Sequence, residues 1–581
     1  MKKYISKIAL GICAGVLFNG CTKELDKENF AAVTPDATWS NAPLANAYLN
    51  NIYAAMMPGN TYGSGNSTDE GVAYQRQTNA WLTGTATVDS WDTFSQYNNI
   101  RTVNIMLDHI DAASFDDASK SKIKGQALFW RAWAYYSLTN AYGGVPLILT
   151  AQAPTSDLSQ LQVPRNSTTE CVNQIVKDLD DAIALLPDSW SGSDVGRIDK
   201  GAAMAFKGRV LLFFASPLFN PTNDQSKWQK AYDANLAAKN FLDSKGKGLH
   251  TPYSRIWDDE LNKEVIMVKR FNYPEAAYGQ TGLRPLNWSK DDVGTDRPSL
   301  ELVNAFPMKN GQAWGDAPRA YDTLFRNRDD RFYANIYYNG SPNQYIAEMT
   351  TQNTYLWTYF KSITNWEGAT GIQGSHNTIT DEGNLWSNSG FYRIKAIDKT
   401  ITKGTVYNAA VDWPEIRYAE VLMNYGEAAN ELGKTTEALD VLYQIRKRAG
   451  VLAGAASNYG ITASSTATLR SVYQNERFVE FCFEGKRWND IRRWKLFGYL
   501  RGLQQRHGLG ILLKTGELDV NPKDDINSIY NRFTYKVVTT DKSNIAVSDQ
   551  YYIYGIPKAR LDRNPKLLQN NNWGGTFDPL K

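Results

Sequence analysis

Apolar residues recur at steps of three and four through most of the chain before residue 245, a period that predicts helix. Leu128, Ala132, Tyr135, Leu138 and Tyr142 form one stripe, stopped by Gly143-Gly144 with Pro146 just beyond. Trp228, Ala231, Ala234, Ala238 and Phe241 repeat the pattern, with alanines where a neighbouring helix can approach closely. Ser167 to Leu186 and Lys200 to Ala215 supply two more helices. From about 250 to 410 the period disappears and Asn, Gly, Thr and Tyr dominate, which predicts long loops and short strands laid over a helical body. Helical text resumes at Asp412, where Asp412 and Glu415 have capping-box spacing and Pro414 falls in the first turn. Tyr418, Val421, Tyr425, Ala428 and Leu432 then share a face up to Gly433; Leu439, Leu442, Ile445 and Ala449 follow up to Gly450. Two helices with so short a link predict an antiparallel hairpin of the tetratricopeptide kind. The hairpins are irregularly spaced, so the expected fold is mainly α: tetratricopeptide-like helix pairs in a globular bundle, with a loop-rich half containing short strands. The expected divisions are 41–250, 251–410 and 411–581.

The start of the chain follows a different rule. Met1-Lys2-Lys3 precedes an almost unbroken apolar run from Ile5 to Phe18, too short to span a bilayer and ended by Asn19-Gly20-Cys21. This resembles a bacterial lipoprotein signal, with residues 1–20 removed, Cys21 lipidated and residues 21–40 a polar tether. Phe18 stands where such signals usually carry Leu, and an ordinary secretory signal is the alternative. The 63 Lys and Arg against 60 Asp and Glu give a net charge of +3. Loss of Lys2, Lys3 and Lys7 with the signal leaves the two signs equal, so no overall field exists to hold nucleic acid. Cys13 also leaves with the signal; Cys171 and Cys482 sit in apolar helical text and read as buried free thiols. Aromatic residues reach 12%, with 17 Trp and 33 Tyr, more than core filling demands, which points to a binding surface made of rings.

Four blocks then match one family. Ala127-Leu128-Phe129-Trp130-Arg131-Ala132-Trp133 through Tyr142-Gly143-Gly144-Val145-Pro146-Leu147 resembles the helix-to-turn block of the SusD/RagB family. Ile416-Arg417-Tyr418-Ala419-Glu420-Val421-Leu422 with Tyr425-Gly426-Glu427-Ala428 resembles a second block, and Glu476-Arg477 through Asp490-Ile491-Arg492-Arg493-Trp494 a third. Ile556-Pro557 and Asn564-Pro565 resemble the closing segment. The resemblance implies an outer-membrane lipoprotein, exposed at the cell surface and held by lipid on Cys21, that binds a glycan and caps a SusC-like TonB-dependent transporter without catalysis. It also implies that 251–410 is the variable, ligand-binding part. A peptide-binding member of the same architecture is the alternative, and a secreted glycoside hydrolase a remote one.

The residues themselves bear on three kinds of chemistry. Glu476, Glu480 and Glu484 lie four apart on one helical face beside Arg477, Arg487 and Arg493, and read as interlocked ion pairs rather than an acid–base dyad. His109, His250, His376 and His507 have no ligand partner at helical spacing, so no transition-metal site and no cofactor is expected, while structural calcium stays open. Rings are the better basis for a site, because a sugar offers one C–H face for stacking and hydroxyls at its edge for polar groups. The expected ligand contacts are Asp69, Arg76, Trp81, Trp91 and Tyr97 from the polar stretch between helices. Trp288, Tyr355, Trp357, Trp366 and Trp386 from the loop-rich half complete the set. Trp130, Trp133, Trp488 and Trp494 are assigned to the core.

Overall fold

The computed structural model describes residues 35–73, 79–283, 297–316, 321–349, 355–366, 373–376, 389–521 and 524–581. Cys21, Arg76, Trp288 and Trp386 lie outside the described residues, as do the signal and most of the tether.

Helices dominate the first half. They are α1 (Pro35–Ser40), α2 (Ala42–Met56), α3 (Gln96–Ile110), α4 (Asp117–Tyr142), α5 (Thr168–Leu185), α6 (Lys200–Ala215) and α7 (Gln225–Ser244). Their starts follow local chemistry. Ser167 and Glu170 close a reciprocal capping box at α5, and Asp116 and Asp199 accept from backbone N–H groups at α4 and α6. The bundle resumes with α10 (Tyr418–Glu431), α11 (Thr435–Arg448), α12 (Thr466–Glu480), α13 (Arg487–Arg493) and α14 (Phe497–Gly502), after two short helices, α8 (Leu300–Ala305) and α9 (Asp330–Asn335). From α3 to α7 each helix packs on the next, and α7 packs on α10, which packs on α11 and α12. This is a mainly α fold of helix hairpins in a globular bundle. Trp130 and Trp494 are buried in it, and Trp133 and Trp488 pack partly buried against it.

The stretch between the two helical parts holds short strands. β1 (Gly71–Val72) pairs with β3 (Arg297–Pro298), and β2 (Val265–Lys269) pairs with β6 (Trp413–Arg417). β4 (Phe360–Asn365), β5 (Gln373–His376), β7 (His507–Leu513) and β8 (Phe533–Thr539) form one sheet in the order β8-β7-β4-β5. β6 displaces the capping box expected at Asp412. The chain is extended through Arg417 and α10 begins only at Tyr418, because pairing with β2 satisfies the backbone there. Asp412 instead pairs with Arg270 at 2.6 Å and Glu415 with Arg209 at 2.7 Å. The chain beyond Gly502, expected to be helical, enters the strands β7 and β8.

Helix α12 is the wall shared by two cores. Leu469, Tyr473 and Phe481 face the helical bundle, while Phe478, Val479, Cys482 and Phe483 face the core under the loop-rich half. Along this seam runs a fully buried ion-pair network. Arg331 reaches Asp329 at 2.7 Å, Glu476 at 2.6 Å and Glu480 at 3.1 Å. Arg417 reaches Glu484 at 2.7 Å and also Glu480 and Glu264, and Arg448 pairs with Glu264 at 2.7 Å and with Glu480. Burial alone would raise the Glu480 carboxyl; the guanidiniums of Arg448, Arg417 and Arg331 together outweigh it and hold it below the ordinary range. No solvent reaches these carboxylates, so they carry architecture.

Candidate ligand-binding surface

The polar stretch after α2 is pinned from beneath by arginines. Arg487 grips the Asp69 carboxylate through Nε at 2.8 Å and Nη2 at 2.6 Å. Glu70 accepts the Phe483 N–H at 2.6 Å. Arg506 donates to the carbonyls of Asn66 at 2.8 Å, Thr68 at 3.0 Å and Gly71 at 2.6 Å while paired to Asp541 at 2.6 Å. The loop ends in β1, whose register sets Val72 opposite Arg297. His507 and Glu301 meet close by in sequence to these elements, with Nδ1 at 2.6 Å from the carboxylate; that hydrogen bond holds the imidazole above its ordinary value.

The loop from Asn79 to Trp91 continues this surface. Asn79 donates to Ser67 at 2.8 Å, and Leu82 accepts from Ala546 at 2.7 Å. Trp81 lies 4.9 Å from the Tyr554 ring, 5.1 Å from Tyr551 and 6.3 Å from Trp488. Trp91 lies 5.6 Å from the same Tyr554 and keeps 43% of its surface in water. Tyr554 is held by the Trp488 indole, which donates to its hydroxyl at 2.6 Å, and by the Arg492 guanidinium 4.5 Å from its ring. Asp92 and Arg560, paired at 2.9 Å, put hydrogen-bonding groups next to Trp91 along the chain. An exposed ring on a rigid aromatic base, edged by polar groups, can stack on the apolar face of a sugar and bond its hydroxyls.

The structure sorts the expected contacts. Trp81 and Trp91 come together around Tyr554. Tyr97 is half-buried, its hydroxyl donating to the Pro146 carbonyl at 2.8 Å. Asp69 lies inside the protein instead of at its surface, because both carboxylate oxygens are spent on Arg487. Trp357 is likewise interior, 1% exposed and packed against Phe533 and Tyr359. Tyr355 packs partly buried against that second core, and Trp366 stands 5.4 Å from the Lys536 ammonium. Tyr554 was missed from the sequence. The available signal was Tyr551-Tyr552-Ile553-Tyr554, three phenols immediately before the closing block.

Comparison with known proteins agrees with this architecture. A model of the SusD family matches residues 255–573, and a second, described as starch-binding associating with outer membrane, matches residues 30–212. SusD-like protein P38 of Formosa agariphila is 24% identical over 467 residues, covering 76% of this chain and 79% of that protein. A SusD-like protein of Bacteroides fragilis has the same fold, with a TM-score of 0.71 at 23% identity, covering 94% of this chain and 99% of that one. A SusD-like carbohydrate binding protein of Bacteroides fragilis has a TM-score of 0.69 at 21% identity over 91% and 99% of the two chains. A laminarin binding SusD-like protein has a TM-score of 0.54 at 19% identity, again over 91% and 99%.

Proposed function

Because the chain belongs to the SusD family, we propose that it is a surface-anchored, non-catalytic glycan-binding protein that captures oligo- or polysaccharide and delivers it to a SusC-like TonB-dependent transporter. The observation that carries the glycan reading is Trp91, held open to solvent on Tyr554 beside Trp81. Arg76, Trp288, Tyr355, Trp366 and Trp386 remain proposed contacts. Two structurally similar proteins, one described as carbohydrate binding and one as laminarin binding, support a sugar ligand. The burial of Glu476, Glu480 and Glu484 supports the absence of catalysis, since a general acid must touch its substrate. Lipid on Cys21 supplies the outer-membrane anchor in this reading. Among the described residues no helix is long and apolar enough to cross a membrane.

Each ring–sugar contact is weak, on the scale of the ~0.5–1.5 kcal/mol of an aromatic pair. Many anchored copies acting on one polymer compensate through effective concentration. Affinity electrophoresis in gels cast with a panel of soluble polysaccharides, laminarin and starch among them, tests the reading. The wild type should be retarded by at least one, and Trp91→Ala should weaken that retardation roughly two- to tenfold. No new reducing ends should form on incubation with the same polysaccharides. Retention of peptides and of no glycan would move the reading to the peptide-binding alternative.

A further inference from the structure

The segment from Phe271 to Gln280 and the residues it pairs with, 406–409, present a second pair of exposed rings. It folds back where Asn272 pairs with Ala276, then runs antiparallel to residues 406–409, with Tyr278 bridging Ala409 and the Gln280 N–H donating to Val406 at 2.9 Å. Tyr273 stands at the tip, 60% exposed, and Tyr407 stands beside Gly279, 56% exposed; these are the two most exposed aromatic side chains among the described residues. A phenol ring standing in water leaves its flat face free to stack on a ligand. Tyr407 is also seated. A Cβ on residue 279 would come within 3.1 Å of its Cδ1, so the glycine backbone supports the ring where a side chain would displace it.

The chemistry around these rings suits a neutral, hydroxylated ligand. Asn272, Thr402, Thr405 and Asn408 lie along the two segments, with Glu275 and Lys403 the charged residues among them. The Gln280 amide donates to Tyr62 at 3.1 Å and to the Ala396 carbonyl at 3.0 Å, which ties this surface to the loop that carries β1. Six chain steps lead from Tyr273 to Gly279, against which Tyr407 packs, a span of at most about 20 Å, within the length of an oligosaccharide of several sugars.

We propose that Tyr407 and Tyr273 form a second glycan contact, separate from the Trp91 platform, on which a long chain stacks further sugar rings. The proposal rests on the glycan reading and adds that affinity grows with chain length. Full-length wild type, Tyr407→Ala, Tyr273→Ala and Tyr407→Phe are compared by affinity electrophoresis in the same polysaccharide gels, and by calorimetry with short oligosaccharides of the retarding glycan. Both alanine variants should lose retention of the polymer roughly two- to tenfold while the short-oligosaccharide affinity is unchanged, and Tyr407→Phe should retain the wild-type value. Gly279→Val, which pushes the ring aside without removing it, should behave like Tyr407→Ala. If the wild type is retarded and both alanine variants match it, the second contact is refuted and the glycan reading stands. If no polysaccharide retards the wild type, both fall together.

Discussion

Trp91 and Trp357 carry the same side chain into opposite environments. Trp91 rests on one ring and keeps the rest of its surface in water, so its removal should cost ligand affinity and little stability. Trp357 fills a gap between Phe533, Tyr359 and Gly340. Trp357→Ala should therefore cost about 3–5 kcal/mol in urea unfolding, as large-to-small core changes do. A loss under 1 kcal/mol would show that the site is less tightly packed than it stands. Cysteine reactivity belongs to the same scale. Burial pushes the Cys171 thiol up to about 11 and Cys482 up to about 12, and both are enclosed. Iodoacetamide at pH 8 should leave both unlabelled in the folded protein and label both in urea, as read by peptide mapping.

At the scale of elements, the helices obey their periods until a partner overrules them. Gly426 sits inside α10, where alanine would ordinarily be favoured by about 1 kcal/mol. A Cβ there would meet the Tyr473 hydroxyl at 2.1 Å and Val441 at 2.8 Å, so close approach of α11 and α12 requires the glycine. Gly426→Ala should destabilise the protein by about 1–3 kcal/mol through overpacking. A rise in melting temperature would refute the close crossing. The strand β6 illustrates the same precedence. Residues with the spacing of a helix cap are drawn into a ladder with β2, and their carboxylates serve Arg270 and Arg209 instead.

At the scale of the whole molecule, the charged seam along α12 joins the two cores. Removing one partner from a buried network leaves an uncompensated charge, so Glu480→Gln, which removes the one carboxylate that Arg417, Arg448 and Arg331 share, should cost about 3–5 kcal/mol. Urea unfolding of the variant measures it directly. The pH dependence has a definite sign. Arginines hold Glu476, Glu480 and Glu484 below the ordinary carboxylate range against the cost of burial. Each adds stability that is full above the unfolded value near ~4.3 and is lost as pH falls through the lower folded value. Asp329, pushed up by burial, works the other way but is one group against three. The urea midpoint should drop steeply as pH falls below about 4; a midpoint unchanged at pH 3 would contradict the network.

The helix hairpins, their stops and the four framework blocks were legible in the sequence, because period and capping depend on residues a few positions apart. The face holding Glu476, Glu480 and Glu484 was legible for the same reason, but its partners Arg331, Arg417, Arg448 and Glu264 come from distant segments that only folding assembles. Exposure was legible in the helical text, where Trp130 and Cys171 read as buried, but not for rings and carboxylates in the loops. Nothing in the identity of a tryptophan distinguishes Trp91 from Trp357, and nothing near Asp69 in sequence announces Arg487. The sequence by itself determined the helix hairpins and the family, since local hydrogen bonding and apolar spacing set the one and the framework blocks the other, but not the strands β6 to β8. Tertiary structure alone decided which rings face water and which carboxylates are spent, since burial is a property of what packs from far along the chain.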